Sequence, residues 1–297
     1  MFVGKIEMRM SGRLLKIARL YDEWFVHLDN PPAFIEELKR TRTADILVFL
    51  QEAHIPRPAY PYLKQLAPAS VMKVTTYDEW WNSRHPKVRK KVLKAEKSGV
   101  QLREVKLDDD FVRAVQKIYN ECSLRQGRKF WHYGKSFEQI KRELATFPEC
   151  TFFIGAYCNN ELIGFFKFWE GDQILRTVHT IGTYADRDKC VMDALYAKGV
   201  ELAAQKGFQY FYCGDWSTGS LGAFRQKFSF ERHECPRYFV PLNAKGALAL
   251  KLGLHRPFRE RIPTGMLNRA LALRAKWLAW RHGVKPEEPK VAAAAED

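Results

Sequence analysis

The sequence lacks any pair of cysteines at metal-binding or redox spacing. Its six cysteines, Cys122, Cys150, Cys158, Cys190, Cys213 and Cys235, are scattered with no C-x-x-C among them. That argues against a zinc site or a disulfide framework and fits a reducing compartment. No run approaches the roughly 20 apolar residues that span a bilayer. The stretch Met1 to Arg13 is interrupted by charge and has no apolar signal core. No internal repeat is visible. Acids are few beside bases: 34 Asp and Glu against 49 Lys and Arg, a net charge of +15 over 297 residues. Together these absences predict a cytoplasmic protein without metal, whose surface attracts anions: nucleic acid, acidic lipid or phosphorylated cofactors. Charge alone does not choose among them.

What is present is an ordinary globular composition, 46% hydrophobic and 28% charged, long enough for one large domain or two modest ones. Residues 1–75 read as a small α/β piece. Leu14 to Leu20 and Trp24 to Leu28 are expected to pair as strands, Pro31-Pro32 to open a helix, and Asp45 to Leu50 to form a buried strand. The three prolines of His54 to Tyr62 predict irregular chain. Thr76 and Glu79 are spaced as a capping box for a helix over Tyr77 to Asn82. A strongly basic helix follows over Lys87 to Lys97, ended by Gly99. Then come a strand (Val100 to Leu107), a helix (Asp108 to Cys122), a basic and aromatic loop (Arg125 to Gly134), and a helix capped by Ser136. Thr151 to Tyr157 and Glu161 to Glu170 form a hairpin about Asn159-Asn160, whose side chains tolerate positive φ.

The stretch from Ile174 to Phe230 organises the rest. An apolar β-branched run reaches Tyr184, a polar turn (Ala185 to Lys189) follows at once, and an amphipathic helix carries Val191, Leu195, Tyr196, Gly199, Val200 and Leu202 until Gly207. An aromatic strand, Phe208 to Cys213, ends in Gly214-Asp215-Trp216. A short helix closes the unit at Ser229-Phe230, and a strand over His233 to Val240 completes it. Strand, turn, helix, strand is a βαβ unit, and its first turn sits at a helix N-terminus that favours anions. The full order is an α/β mixed sheet in which antiparallel strands lead into a parallel crossover.

This order, over about Thr76 to Leu242, resembles the GNAT acyltransferase superfamily, specifically its FemAB-like branch of peptidoglycan-bridge aminoacyltransferases and related proteins. Three stretches carry the resemblance: the basic helix Arg89 to Val100, the strand–turn–helix from His179 to Leu202, and Phe224-Arg-Gln-Lys-Phe-Ser-Phe230. The resemblance implies an acyltransferase that moves an acetyl or aminoacyl group to an amine by direct attack. It implies acetyl-CoA or another acyl-CoA as donor, with aminoacyl-tRNA as the alternative, and a small molecule or peptidoglycan precursor as the amine acceptor. The turn departs from the superfamily's glycine-rich pyrophosphate loop: Arg187 to Met192 contains no glycine, as in FemAB-like enzymes that use aminoacyl-tRNA. The second function class is a GNAT-shaped protein without chemistry that holds RNA or anionic lipid.

The resemblance also assigns expectations to single residues. Backbone amides at Thr183, Tyr184 and Ala185 would polarise the acyl carbonyl. Arg187, Lys189, Cys190 and Lys227 would face the donor, with Cys190 either a small filler or a thiol of lowered pKa. His179 and Asp215 are the candidate bases for the amine, and Arg225 stands where many GNAT proteins place a tyrosine, to hold leaving-group charge. Trp131, His132 and Tyr133 would line the acceptor side with Trp216. Trp80 and Trp81 read as core. From residue 244 to 284 the chain is basic, with a short apolar helix over Ala247 to Leu254 and a second from Thr264 through Trp280 suited to tRNA or to an anionic membrane. Residues 285–297 are expected to be disordered.

Overall fold

Local chemistry sets the helix boundaries in a computed structural model of the protein. The described residues are 2–3, 6–26, 28, 30–51, 60–125, 128–171 and 173–256, with scattered positions between 265 and 277. In chain order the elements are β1 (Phe2–Val3), β2 (Ile6–Ser11), β3 (Ile17–Leu20), α1 (Pro31–Thr41), β4 (Ile46–Leu50), β5 (Leu63–Lys73), α2 (Tyr77–Ser83), α3 (Pro86–Lys97), β6 (Gln101–Val105), α4 (Asp109–Asn120), β7 (Leu124–Arg125), β8 (Arg128–Lys129), α5 (Phe137–Leu144), β9 (Thr151–Cys158), β10 (Glu161–Glu170), β11 (Ile174–Gly182), α6 (Val191–Gln205), β12 (Tyr210–Asp215), α7 (Ser220–Lys227), β13 (Glu231–Pro241) and α8 (Ala244–Lys251). Thr76 and Glu79 form the expected capping box on α2, and Ser136 with Gln139 forms a second on α5. Asn159 and Asn160 both take positive φ, the geometry of a two-residue hairpin turn.

The chain divides into two compact units, Met1–Pro68 with His233–Arg269, and Ala69–Arg232 with Ala270–Asp297. Residues 233–256 therefore lie with the N-terminal piece, not with the stretch that precedes them in sequence. In the first unit β2 pairs antiparallel with β3, α1 crosses over, and β4 returns parallel to β3. β13 pairs antiparallel with β4, Arg237 opposite Leu50. The strand expected over Trp24 to Leu28 is absent from the described residues of that stretch. Residues 21–25 form turns there, with Phe25 and Val26 donating to the Asp22 carbonyl, and β3 takes β2 as its neighbour instead.

In the second unit β6, β9, β10 and β11 form an antiparallel run, β12 joins β11 in parallel through α6, and β5 pairs antiparallel with β12. Helices cover both faces, so β10 is buried from Leu162 to Phe168, with Phe165, Phe166 and Phe168 in the core and Lys167 enclosed among them. One face packs on α3 and α6 through Phe166, Phe168, Leu195, Tyr196 and Phe211. The other packs on α4 and α5 through Phe165, Phe111, Val115, Tyr119 and Ile140. Gly199 lets α6 approach the sheet: a Cβ there would meet Phe211 at 2.8 Å. The helix expected from Thr264 lies outside the described residues except at scattered positions, and the tail over 285–297 lies wholly outside them.

Trp80 ties α2 to the end of α7. It is buried in the core, and its indole Nε1 donates to the carbonyl of Phe228 at 3.1 Å. Trp80→Ala is expected to cost about 3–5 kcal/mol. Trp80→Phe, which keeps most of the ring but strands the carbonyl, should cost about 1–3 kcal/mol. Urea unfolding of both variants checks the order of the two losses.

Candidate active site

The site is built where β11 loses its parallel neighbour. Pairing with β12 runs only from Ile174 opposite Tyr210 to Arg176 opposite Tyr212. The register of β11 against β10 also shifts there: Lys167 faces His179 and Phe168 faces Thr177, leaving Val178 as the extra residue. Beyond this point β11 bends, and its side chains serve two faces of the sheet.

On the α4 face, Nε2 of His179 lies 2.8 Å from the hydroxyl of Tyr119. Burial pushes the Tyr119 pKa up, so the phenol keeps its proton, and the tautomer of the neutral His179 ring sets which of the two groups donates. His179 packs against Phe165 and against His132, whose ring centroid is 4.8 Å away. Burial lowers the His179 pKa to about 3, helped by His132 and by the charges of Lys135, Lys167 and Arg125. His132 is lowered to about 4, by burial first and then by Lys135 and Arg125. The Trp131 indole donates to His132 Nε2 at 2.7 Å, and Lys135 Nζ lies 3.3 Å from Nδ1. A neutral imidazole accepts through one nitrogen only, so two donors facing one ring leave no room for a further proton. Lys135 is itself fixed by both oxygens of Glu143 at 2.7 Å. His132 and His179 are thus brought together, while Trp131 and Tyr133 of the same loop stay exposed.

On the α6 and α7 face, Nη1 of Arg225 donates to the backbone carbonyl of Asp215 at 2.6 Å and to Ser70 Oγ at 3.2 Å. The Arg225 guanidinium also interacts with Tyr196 and Cys213, whose hydroxyl and Sγ are 2.9 Å apart. Burial opposes its charge, but these two partners raise its pKa on balance. Asp215 therefore contributes its carbonyl to this cluster, and its carboxylate lies at the exposed end of β12 beside half-buried Trp216. Arg225 and His179 occupy opposite faces of the same parted strands.

The turn after β11 differs from expectation in what it offers. The three amides expected to meet an acyl carbonyl are all engaged. Thr183 N–H donates to the Ile163 carbonyl at 2.9 Å. Tyr184 and Ala185 donate to the two carboxylate oxygens of Glu121 at 2.7 and 2.8 Å. Glu121 also pairs with Arg125, whose guanidinium reaches the Gly182 carbonyl. A carboxylate from α4 thus sits where the resemblance places part of an anionic donor. Arg187 stacks on Tyr184, its guanidinium 3.2 Å from the ring centroid, and Lys189 pairs with Asp186. Burial would raise the Asp186 pKa, but hydrogen bonds from Lys189 and Thr183 lower it. Cys190 adopts φ of 57° ahead of α6, and burial and Asp193 raise its pKa, so it is not an activated thiolate.

Cations gather at the start of α6. Lys91 of α3 lies 3.8 Å from Asp193, and the charges of Lys94 and Lys227 reach Cys190 and Asp193. On the α4 side, a cavity of about 730 Å3 is lined by Arg103, Phe111, Ile118, Glu121, Tyr157, Thr183, Ala185 and Asp186 among others. None of His179, Asp215 and Arg225 lines it. Tyr119 and Glu121 were not expected from sequence. Tyr119 lies in the last turn of α4 and Glu121 is its C-cap, and the 3.6-residue period that marks the helix carries no sign that they reach β11 and its turn.

Both half-buried histidines have folded pKa values below the unfolded value of 6.5. Between that pH and about 4 the unfolded chain binds protons that the folded chain refuses, so stability is fully present above pH 6.5 and falls on acidification. Urea midpoints at about pH 7.5 and about pH 5 should differ in the wild type, and the gap should shrink in His132→Gln/His179→Gln. An equal midpoint at both pH values in the wild type would count against neutral, enclosed histidines.

No family model matches this sequence, and no curated protein matches it. Solved structures do match. The C-terminal domain of a protein named as a lysylphosphatidylglycerol synthetase, from Agrobacterium fabrum, aligns with a TM-score of 0.56 at 16% identity, over 83% of each chain. L-PGS from Bacillus licheniformis aligns at 0.53 and 12% identity, over 78% of this chain and 80% of its own. FemX aligns at 0.54 and 10% identity, over 79% of this chain and 84% of its own. Such identities speak for fold. The parted parallel pair, the antiparallel run that leads into it and these likenesses agree: the chain has a GNAT/FemAB-like α/β fold.

Proposed function

We propose that the protein is an acyl-group transferase of the aminoacyl type, moving an aminoacyl group from an RNA ester to an amine. The observation that carries this is the parting of β11 and β12, with a neutral histidine on one face and a pinned arginine on the other. The choice of donor is supported by the turn. It has no glycine, and Glu121 occupies the Tyr184 and Ala185 amides, which disfavours a CoA pyrophosphate there. The cations of α3 and Lys227 suit an RNA backbone. The acceptor class is supported by the cavity beside α4, which reaches the turn after β11 through Thr183 and Ala185 although His179, Asp215 and Arg225 do not line it. Its wall carries Glu104, Asp108, Asp110, Glu121, Glu161 and Asp186 against Arg103, Lys106 and Lys117, an acidic lining in a basic protein that favours an amine-bearing small molecule or cell-wall precursor.

In this mechanism the amine nitrogen attacks the ester carbonyl carbon, the new C–N bond forms, and the C–O bond to ribose breaks. Arg225 holds the charge that develops on the departing oxygen, which then takes a proton from water. With a pKa of about 3, His179 is a weak base, and its part is positional, holding β11 to the α4 layer through the Tyr119 pair. The exposed Asp215 carboxylate accepts the proton that the amine sheds.

The test is transfer of a labelled amino acid from aminoacyl-tRNA to amine acceptors, beside thermal melts with acetyl-CoA. Transfer is expected, and acetyl-CoA should leave the Tm unmoved, whereas a ligand at about 100 times its Kd would add roughly 2.7 kcal/mol. Arg225→Gln should lower kcat by roughly 100- to 1,000-fold with little change in KM. A Tm rise with acetyl-CoA and no transfer from tRNA would overturn the donor; no transfer from either donor would overturn the transferase.

A further inference from the structure

We infer that α8 and the turn between β2 and β3 form a docking surface for an anionic lipid bilayer. α8 is an eight-residue helix whose inner side is fixed: Gly246 and Ala249 are buried, and a Cβ at Gly246 would meet the Asp45 carbonyl at 1.9 Å. Its outer side is not polar, as a solvated helix face ordinarily is. Leu248, Leu252 and Leu254 are 57%, 61% and 51% exposed. Leu248 and Leu252 stand four residues apart on one stripe, in line with Lys245. The helix end is built to hold Leu254 outward: Gly253 takes φ of 67°, and its N–H and that of Leu254 donate to Leu250 and Ala249. Leu14, 87% exposed, lies beside the first turn of α8, because Lys245 donates to its backbone carbonyl.

Single exposed leucines need no explanation, but three on and just after one short helix, with a fourth beside its first turn, do. The exposed charges around them have one sign, the acid beside them, Asp45, being buried and paired with Lys245 at 3.2 Å. Arg13, Lys251 and Arg256 are exposed, and neither residues 12–16 nor residues 243–256 contain an acid. Leucines inserted at the acyl boundary and cations at the headgroups are how an interfacial helix holds an anionic membrane. A nucleic acid would meet the same cations, yet it would gain nothing from the leucines. The surface is independent of the transfer reaction proposed above.

The experiment is co-sedimentation of the full chain with vesicles of phosphatidylcholine alone and of phosphatidylcholine mixed with phosphatidylglycerol. Binding to the mixed vesicles only, weakened by salt, is expected. Leu248→Ser/Leu252→Ser/Leu254→Ser should keep the wild-type Tm and lose affinity by roughly tenfold for each leucine that enters the bilayer. Lys251→Glu, which removes no apolar contact, should lose less and flatten the salt dependence. The inference is overturned if the triple variant binds as the wild type does, if both vesicle types bind alike, or if RNA is retained while anionic vesicles are not.

Discussion

Beyond Arg176 the backbone of β11 has no parallel partner on its β12 side, and each polar group there has to be satisfied by something else. The candidate site gathers around that opening, largely through side chains. Thr177 Oγ1 turns to Cys213 at 3.5 Å, His179 to Tyr119, Thr183 to Ile163, and the next two amides to Glu121. Because the parted strands face helices on both sides, the gap draws its chemistry from two separate packing layers. The α4 layer supplies uncharged hydrogen-bonding groups in an apolar setting. The α6 and α7 layer supplies a charge that backbone carbonyl, hydroxyl and thiol hold in one place.

The Glu121 clamp shows how a basic protein keeps an anion-seeking turn ordered without a ligand. Two amides and the Arg125 guanidinium form a nest that any carboxylate or phosphate would suit. The chain fills it from α4, at a fixed distance from the helix that also carries Tyr119. The orientation of α4 and the shape of the turn are therefore coupled through one side chain. A donor or acceptor that displaced Glu121 would release both.

Much of this was legible in the residues. Caps and turns state their chemistry locally, which is why Thr76 with Glu79, Ser136, Asn159-Asn160 and Gly207 fall where the structure has them. The order of antiparallel strands followed by a crossover was legible for the same reason, since each element carries its own period. What was not legible is long in range. Tyr119 meets His179 across sixty residues, and nothing in α4 distinguishes it from other core positions of that helix. β5 carries Pro68 and polar residues in its first half, so its eleven residues do not read as a strand. Arg225 could be named from its motif, but not its hold on the Asp215 carbonyl, which required the end of β12 to lie beside α7.

The return of residues 233–256 to the first unit has a consequence for how the protein is made. β4, with five buried residues in a row, pairs through Leu50 with Arg237 of β13. A ribosome adding about 5–20 residues per second delivers β13 many seconds after β4 has emerged. The intervening residues 69–232 are the longer, unbroken part of the second unit and can collapse while the chain is still growing. The N-terminal unit cannot, and its Ile46–Leu50 strand waits with one edge bare, a template for pairing with a neighbouring chain. Synthesis of this protein thus runs against the usual N-to-C order, with the middle of the chain finished before its beginning.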